Sequence, residues 1–390
     1  MRIGIVTISF PTLSETFISN KVLHLASRGH KVVVFCESIN TKLYNKLFAG
    51  HANVQAVAFT KSRMAVYAAL HPLAILNAAM QKQGIKNTIA GKTRLHYINK
   101  HQLDILHVGF SGIGTLYMPV LKKVGAKKIV SCRGSAEKVK LLVFDDRKKN
   151  IQLLFNEVDA IHCVSNDMRQ TILPYCADPS KIFVNFPSID AAQFKRSQPY
   201  TANAPLQILS IGRFTFQKGY FTGLLAVKKL LETFNEFTWV IVGDGLQKEE
   251  IIFHIHQMGL QNHVVLVGAK SKDEVIGLYN KADIFFLPSV YEGIANVALE
   301  AMAMELPVVA TKSGGMQEVI THDVDGMLAD VYDSNMLAGL LLTLATDATK
   351  RAALGKQARE RVLQQFTLDK QITIFETTYN NLLNNNTVVI

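Results

Sequence analysis

The stretch from Ala282 to Gly315 constrains this chain more than any other. Ile284–Leu287 and Val308–Ala310 are short, evenly apolar runs, the pattern of strands buried in a parallel sheet. Pro288 ends the first run. Helix-forming Ala, Leu, Met and Glu then fill about Asn296 to Met304, and Pro307 stops the helix. Ser313-Gly314-Gly315 is the loop after the second run. This geometry places Glu292 in the loop at a strand's carboxyl end and Glu300 eight residues on, inside the following helix. Open α/β sheets bind ligands beyond the carboxyl ends of their strands. Free N–H groups at the helix start, Ile294 to Val297, can hold a phosphate or a sugar hydroxyl. A carboxylate accepts two hydrogen bonds from a vicinal diol, so the layout suits a ligand carrying both sugar and phosphate. The two residues alone equally allow Glu292 as a helix cap and Glu300 as a solvated surface charge.

The rest of the chain repeats the strand–helix alternation twice. At 390 residues it is too long for one ordinary α/β core. The first half reads as strands at Ile3–Ile8, Lys31–Cys36, Ile105–Val108, Lys128–Cys132 and Ala160–Val164, with a short apolar stretch at Ile182–Phe186. Helices are expected at Ser14–Arg28, Ala65–Met80, Thr88–Lys100, Gly114–Val124, Arg147–Glu157 and Asn166–Leu173. Arg196 to Pro205 is polar and without period, the expected linker. The alternation restarts with strands at Leu206–Ile211, Trp239–Val242 and Val264–Gly268. Helices are expected at Thr222–Thr233, Lys248–Met258 and Lys272–Lys281, then from Ser334 to about Leu383. The fold class is therefore α/β: two Rossmann-like, doubly wound domains, 1–195 and 206–367, joined by 196–205 and facing across a cleft.

Composition narrows the setting. No uninterrupted apolar run reaches the ~20 residues of a membrane span. The Met1 to Pro11 start lacks a small-residue cleavage site and reads as a first strand rather than a signal peptide. Cys36, Cys132, Cys163 and Cys176 are scattered, which suits reduced thiols in a cytosol. The net charge of +11 is unevenly spread. Between Ser38 and Leu103 there is no Asp or Glu, whereas Lys42, Lys46, Lys61, Arg63, Lys82, Lys86, Lys92, Arg94 and Lys100 fall there. Met64, Val66, Tyr67, Leu70, Leu73, Ile75 and Leu76 are interleaved with them. A basic and apolar surface fits an anionic bilayer or an anionic lipid-linked ligand. No nucleic-acid-binding motif accompanies the charge. A solvated basic face without a partner is the plain alternative.

Gly212-Arg213-Phe-Thr-Phe-Gln-Lys218-Gly219 leaves the first strand of the second domain. Two glycines allow close backbone approach, and Arg213 and Lys218 supply charge-assisted bonds to a diphosphate. A turn with two surface cations reads equally well. Gly243-Asp244-Gly245 is by default a structural turn, and Gly268-Ala269 sits at a strand end where backbone groups meet a base. In the first domain Ser14 is a good helix cap, and Glu15 in the first turn suits the helix dipole. Both, with Arg133 after another strand, are also candidates for the acceptor side of a cleft. His107 is a candidate cleft residue. His24, His30 and His162 have no metal-ligand spacing and read as ordinary histidines.

Glu292 and Glu300 in a Glu-x7-Glu arrangement, with Pro288-Ser289 before them and Leu299-Glu-Ala-Met-Ala303 and Pro307-Val-Val-Ala310 completing the segment, resemble the retaining nucleotide-sugar glycosyltransferases of family 4. These have the GT-B fold. Gly212-Arg213 and Lys218-Gly219 are similar to that family's diphosphate grip. Phe10-Pro-x-x-Ser-Glu-Thr-Phe17 resembles its subgroup that builds bacterial surface polysaccharides. The resemblance implies that Gly212, Arg213 and Lys218 bind the donor diphosphate and that Glu300 binds the ribose hydroxyls. Glu292, with backbone amides from Gly293, Ile294, Ala295, Asn296 and Val297, would hold the transferred sugar. Gly268 and Ala269 would complete the donor site, and the last helix, about 368–383, would pack back on the first domain. The chain departs from the family at Ile294-Ala295, where Phe-Gly is usual, so an altered sugar pocket is expected. It departs again at Leu13-Ser14, in place of a glycine pair, and at Arg133, where a histidine usually approaches the sugar.

The resulting expectation is retaining transfer of a hexose from a UDP- or GDP-sugar to a hydroxyl of a glycan acceptor, lipid-linked and in polysaccharide assembly. Glu292, Arg213 and Lys218 carry the chemistry, and no metal or other cofactor is expected. The setting is cytoplasmic, with peripheral contact to an anionic inner membrane face and no nucleic acid. Transfer to a soluble small molecule, a sugar-nucleotide epimerase, and a non-catalytic sugar-nucleotide-binding relative are the alternatives.

Overall fold

The structure is a computed structural model describing residues 1–12, 15–72 and 85–386. Two compact units divide it: 1–185 with 371–390, and 186–370. Among the described residues the first holds nine strands: β1 (Arg2–Val6), β2 (Ser9–Phe10), β3 (Lys31–Cys36), β4 (Ser38–Ile39), β5 (Val54–Ala58), β6 (Ile105–Val108), β7 (Lys127–Cys132), β8 (Ala160–Cys163) and β9 (Ile182–Val184). The second holds β10 (Leu206–Ile211), β11 (Phe237–Val242), β12 (Val264–Leu266), β13 (Ile284–Leu287), β14 (Val308–Thr311) and β15 (Met327–Ala329). Every strand pair is parallel.

Both large sheets are doubly wound. The first runs β5-β3-β1-β6-β7-β8-β9 and the second β12-β11-β10-β13-β14-β15. Their strands are apolar without alternation because helices cover both faces. In the first unit Val33 and Phe35 join one buried cluster while Val32 and Val34 join the other. The second sheet is likewise sandwiched, with Trp239 on one face and Phe285 on the other. Trp239 is fully buried, and its indole N–H donates to Ser210 Oγ at 2.8 Å, so its one polar atom is satisfied.

Several expectations shift here. β5 and the pair β2–β4 are strands that the sequence reading left without assignment, and β1 ends at Val6 rather than Ile8. The helix expected over Gly114–Val124 is two short ones, Ser111–Leu116 and Met118–Leu121, with Pro119 in the first turn of the second. The expected linker, 196–205, belongs to the second unit. Arg196 donates to the carbonyls of Met304, Asn280 and Ala282, and Tyr200 and Asn203 donate to Asp283. A polar segment without period is what such a strap looks like when its partners are backbone carbonyls and a buried carboxylate. The helix expected at Ala65–Met80 spans Lys61–Leu70 and is capped by His71, and 73–80 lie outside the described residues, as does Lys82; Leu73, Ile75 and Leu76 fall in that stretch.

The last helix, Leu368–Leu383, buries Ile372, Phe375, Tyr379 and Leu382 in the same cluster as β1 and β3 of the first unit. Beneath it runs a buried row of hydrogen bonds. His162 Nε2 meets the Asn185 carbonyl at 2.8 Å and so must donate, which leaves Nδ1 to accept from Ser131 Oγ at 2.8 Å. Ser131 then accepts from His107 Nε2, also at 2.8 Å. His107 Nδ1 accepts from Tyr379 Oη at 2.8 Å and Lys21 Nζ at 2.9 Å. His107, a candidate cleft residue by sequence, is thus a core residue: burial and the neighbouring Lys21, His162 and Arg133 charges push its pKa well down. The Phe375 ring lies between Lys21, 3.7 Å from its centroid, and His162. Phe375→Ala should cost about 3–5 kcal/mol in urea unfolding of the full chain, and a change within error would show that the helix is not anchored there.

Candidate functional site

In the second sheet the order of strand addition reverses between β10 and β13, and the loops leaving those two strands flank this switch point. The β10 loop carries Gly212, Arg213 and Lys218, and the β13 loop carries Pro288 to Ala295. Gly219 lets them meet. It sits at φ +64, caps the helix Tyr220–Leu231, and a Cβ there would lie 2.0 Å from the Pro288 carbonyl oxygen. Val290 N–H donates to the Gln217 carbonyl at 2.7 Å, a second tie between the loops. Gly243 also stands close, since a Cβ there would meet the Gly212 carbonyl oxygen at 1.9 Å. Gly243-Asp244-Gly245 therefore braces the β10 loop, in keeping with a structural turn.

Glu292 is only 5% exposed and is fully engaged. Lys218 Nζ lies 2.7 Å from Oε1, Ser289 Oγ donates to the same oxygen at 2.8 Å, and Gln217 Nε2 reaches Oε2 at 3.4 Å. A buried carboxylate needs such partners, because desolvation otherwise costs several kcal/mol. Glu292 therefore does not cap the helix. The cap residue of Asn296–Ala303 is Ala295, which offers no side-chain acceptor. Among the described residues the N–H groups of Ile294, Ala295, Asn296 and Val297 meet no acceptor. Gly293 is held from the other side, its carbonyl accepting from Gly315 N–H at 3.0 Å. Ile294 and Ala295 bury their side chains in the apolar cluster under the sheet. Their contribution is thus backbone amides at a helix start, a place suited to an anion. Arg213 is exposed, and its guanidinium forms no ion pair or hydrogen bond among the described residues.

Glu300 is no solvated charge. Its carboxyl is desolvated although part of the residue reaches the surface, and that burial raises its pKa from 4.5 to about 7. The Tyr279 hydroxyl, donating to Oε2 at 3.0 Å, and the Lys272 charge oppose the rise. Gly268 lies beside the β11 loop, its carbonyl accepting from Gly243 N–H at 3.0 Å, and Ala269 beyond it is exposed. Sequence reasoning missed Gln217, Ser289 and Tyr279. Ser289 stood in the quoted motif without a role, and Tyr279 lies on another helix with no local signal.

In the first unit Glu15 is the N-cap of the helix Thr16–Ser27 rather than part of its first turn, and Ser14 lies outside the described residues. The Glu15 N–H donates to Thr12 Oγ1 at 3.2 Å. Arg133 follows β7, with its guanidinium 4.3 Å from the Phe17 ring centroid. Burial lowers its pKa to about 10, and the nearby Glu15 carboxylate limits the fall. The structure thus brings these two expected acceptor-side residues into one electrostatic neighbourhood. Glu137 shapes the loop: its Oε2 accepts the N–H groups of Arg133 and Gly134, each at 3.2 Å.

Two outcomes check this geometry. Lys218→Met strands the buried Glu292 charge and should cost about 3–5 kcal/mol in urea unfolding. Adding Glu292→Gln should recover part of it, and identical single and double variants would remove the pair. Glu300 binds its proton more tightly folded than unfolded, so its contribution to stability is present below pH 4.5 and lost as pH rises through about 7. Glu300→Gln should therefore raise the melting temperature by about 2–4 °C near pH 8 and by less near pH 4. The opposite trend would contradict a desolvated carboxyl.

Known proteins bear on the same residues. The family described as "Glycosyltransferase Family 4" matches residues 14–193, and "Glycosyl transferases group 1" matches residues 192–361. The amylovoran biosynthesis glycosyltransferase AmsK of Erwinia amylovora is 26% identical over 94% of this chain and 96% of its own length. The putative colanic acid biosynthesis glycosyltransferase WcaL of Escherichia coli is also 26% identical, with the same coverage of both chains. Anabaena Alr3699/HepE, solved with UDP-glucose, shares the fold with a TM-score of 0.76 at 18% identity, over 98% of this chain and 100% of its own. Two family matches that meet end to end, on two doubly wound units with the β10 and β13 loops in contact, place the chain among the family 4 (group 1) glycosyltransferases of GT-B architecture.

Proposed function

We propose that the chain transfers a hexose from a nucleotide diphosphate sugar to a hydroxyl of a lipid-linked glycan, with retention at the anomeric carbon, in polysaccharide biosynthesis. The observation that carries this reading is the convergence of Arg213, Lys218, Glu292 and four unpaired amides on one switch point in the strand order. Arg213 and Lys218 take the diphosphate, and Glu300 accepts from the ribose diol. Glu292 and the amides of Gly293 to Val297 hold the sugar, with Gly268 and Ala269 beside the base. As the anomeric C–O bond to the diphosphate breaks, its electron pair goes to the phosphate oxygen, which Arg213 and Lys218 stabilise. The acceptor oxygen bonds to the same face of that carbon, and its proton passes to the departing phosphate. The two cations serve without a metal ion. Glu15 and Arg133 serve the acceptor.

The polysaccharide setting is supported by the names of AmsK and WcaL, and a UDP-sugar donor by the UDP-glucose complex of Alr3699/HepE. GDP-sugars remain the second donor to try. No helix among the described residues is long and apolar enough to cross a membrane, and the proposed setting is cytoplasmic with peripheral contact to the inner face.

Arg213→Ala should weaken UDP binding in calorimetry by about tenfold, the loss of a charge-assisted contact. Binding should also weaken as pH falls through about 7, where Glu300 takes up a proton. Unchanged affinity in both experiments would remove the donor assignment. A product assay completes the test. Turnover without an acceptor would point to an epimerase, binding without turnover to a non-catalytic relative, and loss of transfer on chelation to a metal requirement.

A further inference from the structure

The segment from Lys138 to Lys149 turns a corner between two helices, Lys140–Val143 and Asp145–Glu157. Leu141 points inward, buried with Ile151 and Leu154 in the core of the first unit. The next three residues point out. Leu142 is 78% exposed, Val143 64% and Phe144 54%. Phe144 is at once the last cap of one helix and the first of the other, with extended backbone, so the corner is set by its anchors and not by burial of these three. A surface turn ordinarily carries polar residues at such positions. Leu153, on the second helix, and Leu116, on the helix Ser111–Leu116 that packs against it, are 55% and 54% exposed.

Charge surrounds the apolar corner. From Lys138 to Lys149 there are five cations, Lys138, Lys140, Arg147, Lys148 and Lys149, against two carboxylates, Asp145 and Asp146. Lys138 pairs with Asp167 and Lys148 with Asp145, while Lys140 and Lys149 are exposed and form no ion pair among the described residues. The acid-free region 38–103, which the sequence favours for a membrane, has part of its charge engaged. Arg94 binds Glu37 at 2.9 Å and lies over Tyr117, and Arg63 lies over Tyr97, so two of its cations are spent inside the unit. One short helix, Ser135–Lys138, separates the corner from the β7 loop that carries Arg133.

We propose that Leu142, Val143 and Phe144 insert into the headgroup region of an anionic bilayer, with Lys140 and Lys149 on the phosphates beside them. Three adjacent large apolar side chains supply the partition, and the unpaired lysines select anionic lipid. The proposal gives a surface to the membrane contact in the reading above, and its test needs no glycosyl transfer.

The full chain is floated with vesicles of phosphatidylethanolamine and phosphatidylglycerol, and with vesicles of phosphatidylcholine alone. The expected result is flotation with the anionic vesicles at low salt and little with the neutral ones. Leu142→Ser with Phe144→Ser should reduce the bound fraction about tenfold at every salt concentration. Lys140→Gln with Lys149→Gln should reduce it at low salt only. Circular dichroism and UDP binding, unchanged in both double variants, show that they fold. Equal flotation of wild type and the serine variant would overturn the proposal. So would equal binding to both vesicle types, or self-association in sedimentation velocity that the serine substitutions abolish. Flotation as expected with no sugar transfer would leave this surface standing and strike the enzymatic reading instead.

Discussion

The second unit depends on one close approach, Gly219 against the Pro288 carbonyl. With no Cβ and a left-handed backbone, Gly219 lets the loops after β10 and β13 touch where the order of strand addition reverses. It brings together the loops in which Lys218 lies 2.7 Å from the buried Glu292, and in which the amides at the helix start at Asn296 meet no acceptor among the described residues. A larger residue at 219 would push the two loops apart and expose a carboxylate that the core has no other means of neutralising.

The ion pair also sets the two cations of the β10 loop apart. Lys218 is committed to Glu292, while Arg213 is uncommitted. On the proposed reading, a diphosphate would meet one free cation and one that is shared, and its binding would redistribute an existing bond. Glu300 differs again, being a carboxyl without a cation in hydrogen-bond contact, held by a tyrosine hydroxyl and titrating near neutrality. Two carboxyls eight residues apart thus sit in different surroundings: one is paired with a lysine, and the other is desolvated beside a phenol.

The doubly wound class was legible because its signal is local: short apolar runs, helix formers between them, prolines and glycines at the joins. The Gly212–Gly219 loop and the two carboxylates were legible as neighbours of strand ends, because they follow those strands in sequence. What could not be read were partners distant in the chain. Nothing near Glu300 announces Tyr279, and nothing near residues 196–205 announces that Asp283 and three carbonyls will hold them. The apolar corner at Leu142 was hidden for a further reason. As sequence, Lys-Leu-Leu-Val-Phe resembles any half-buried helix turn, and only the helix geometry shows that one leucine goes in and its neighbours go out. His107 was misplaced because a polar residue at a strand end looks the same whether it faces a cleft or a buried serine.

The row from Tyr379 and Lys21 through His107, Ser131 and His162 to the Asn185 carbonyl has a sense as well as a route. A carbonyl can only accept, so every donor along the row points the same way, and each imidazole is fixed in one neutral tautomer. With both rings neutral, the row therefore runs in a single direction. Asn185 closes it with its carbonyl while its side-chain amide donates to the Gln371 carbonyl at 3.0 Å, and these two residues mark the places where the chain leaves the first unit and returns to it. The interior of one unit is therefore wired, with a single polarity, to both of its crossings.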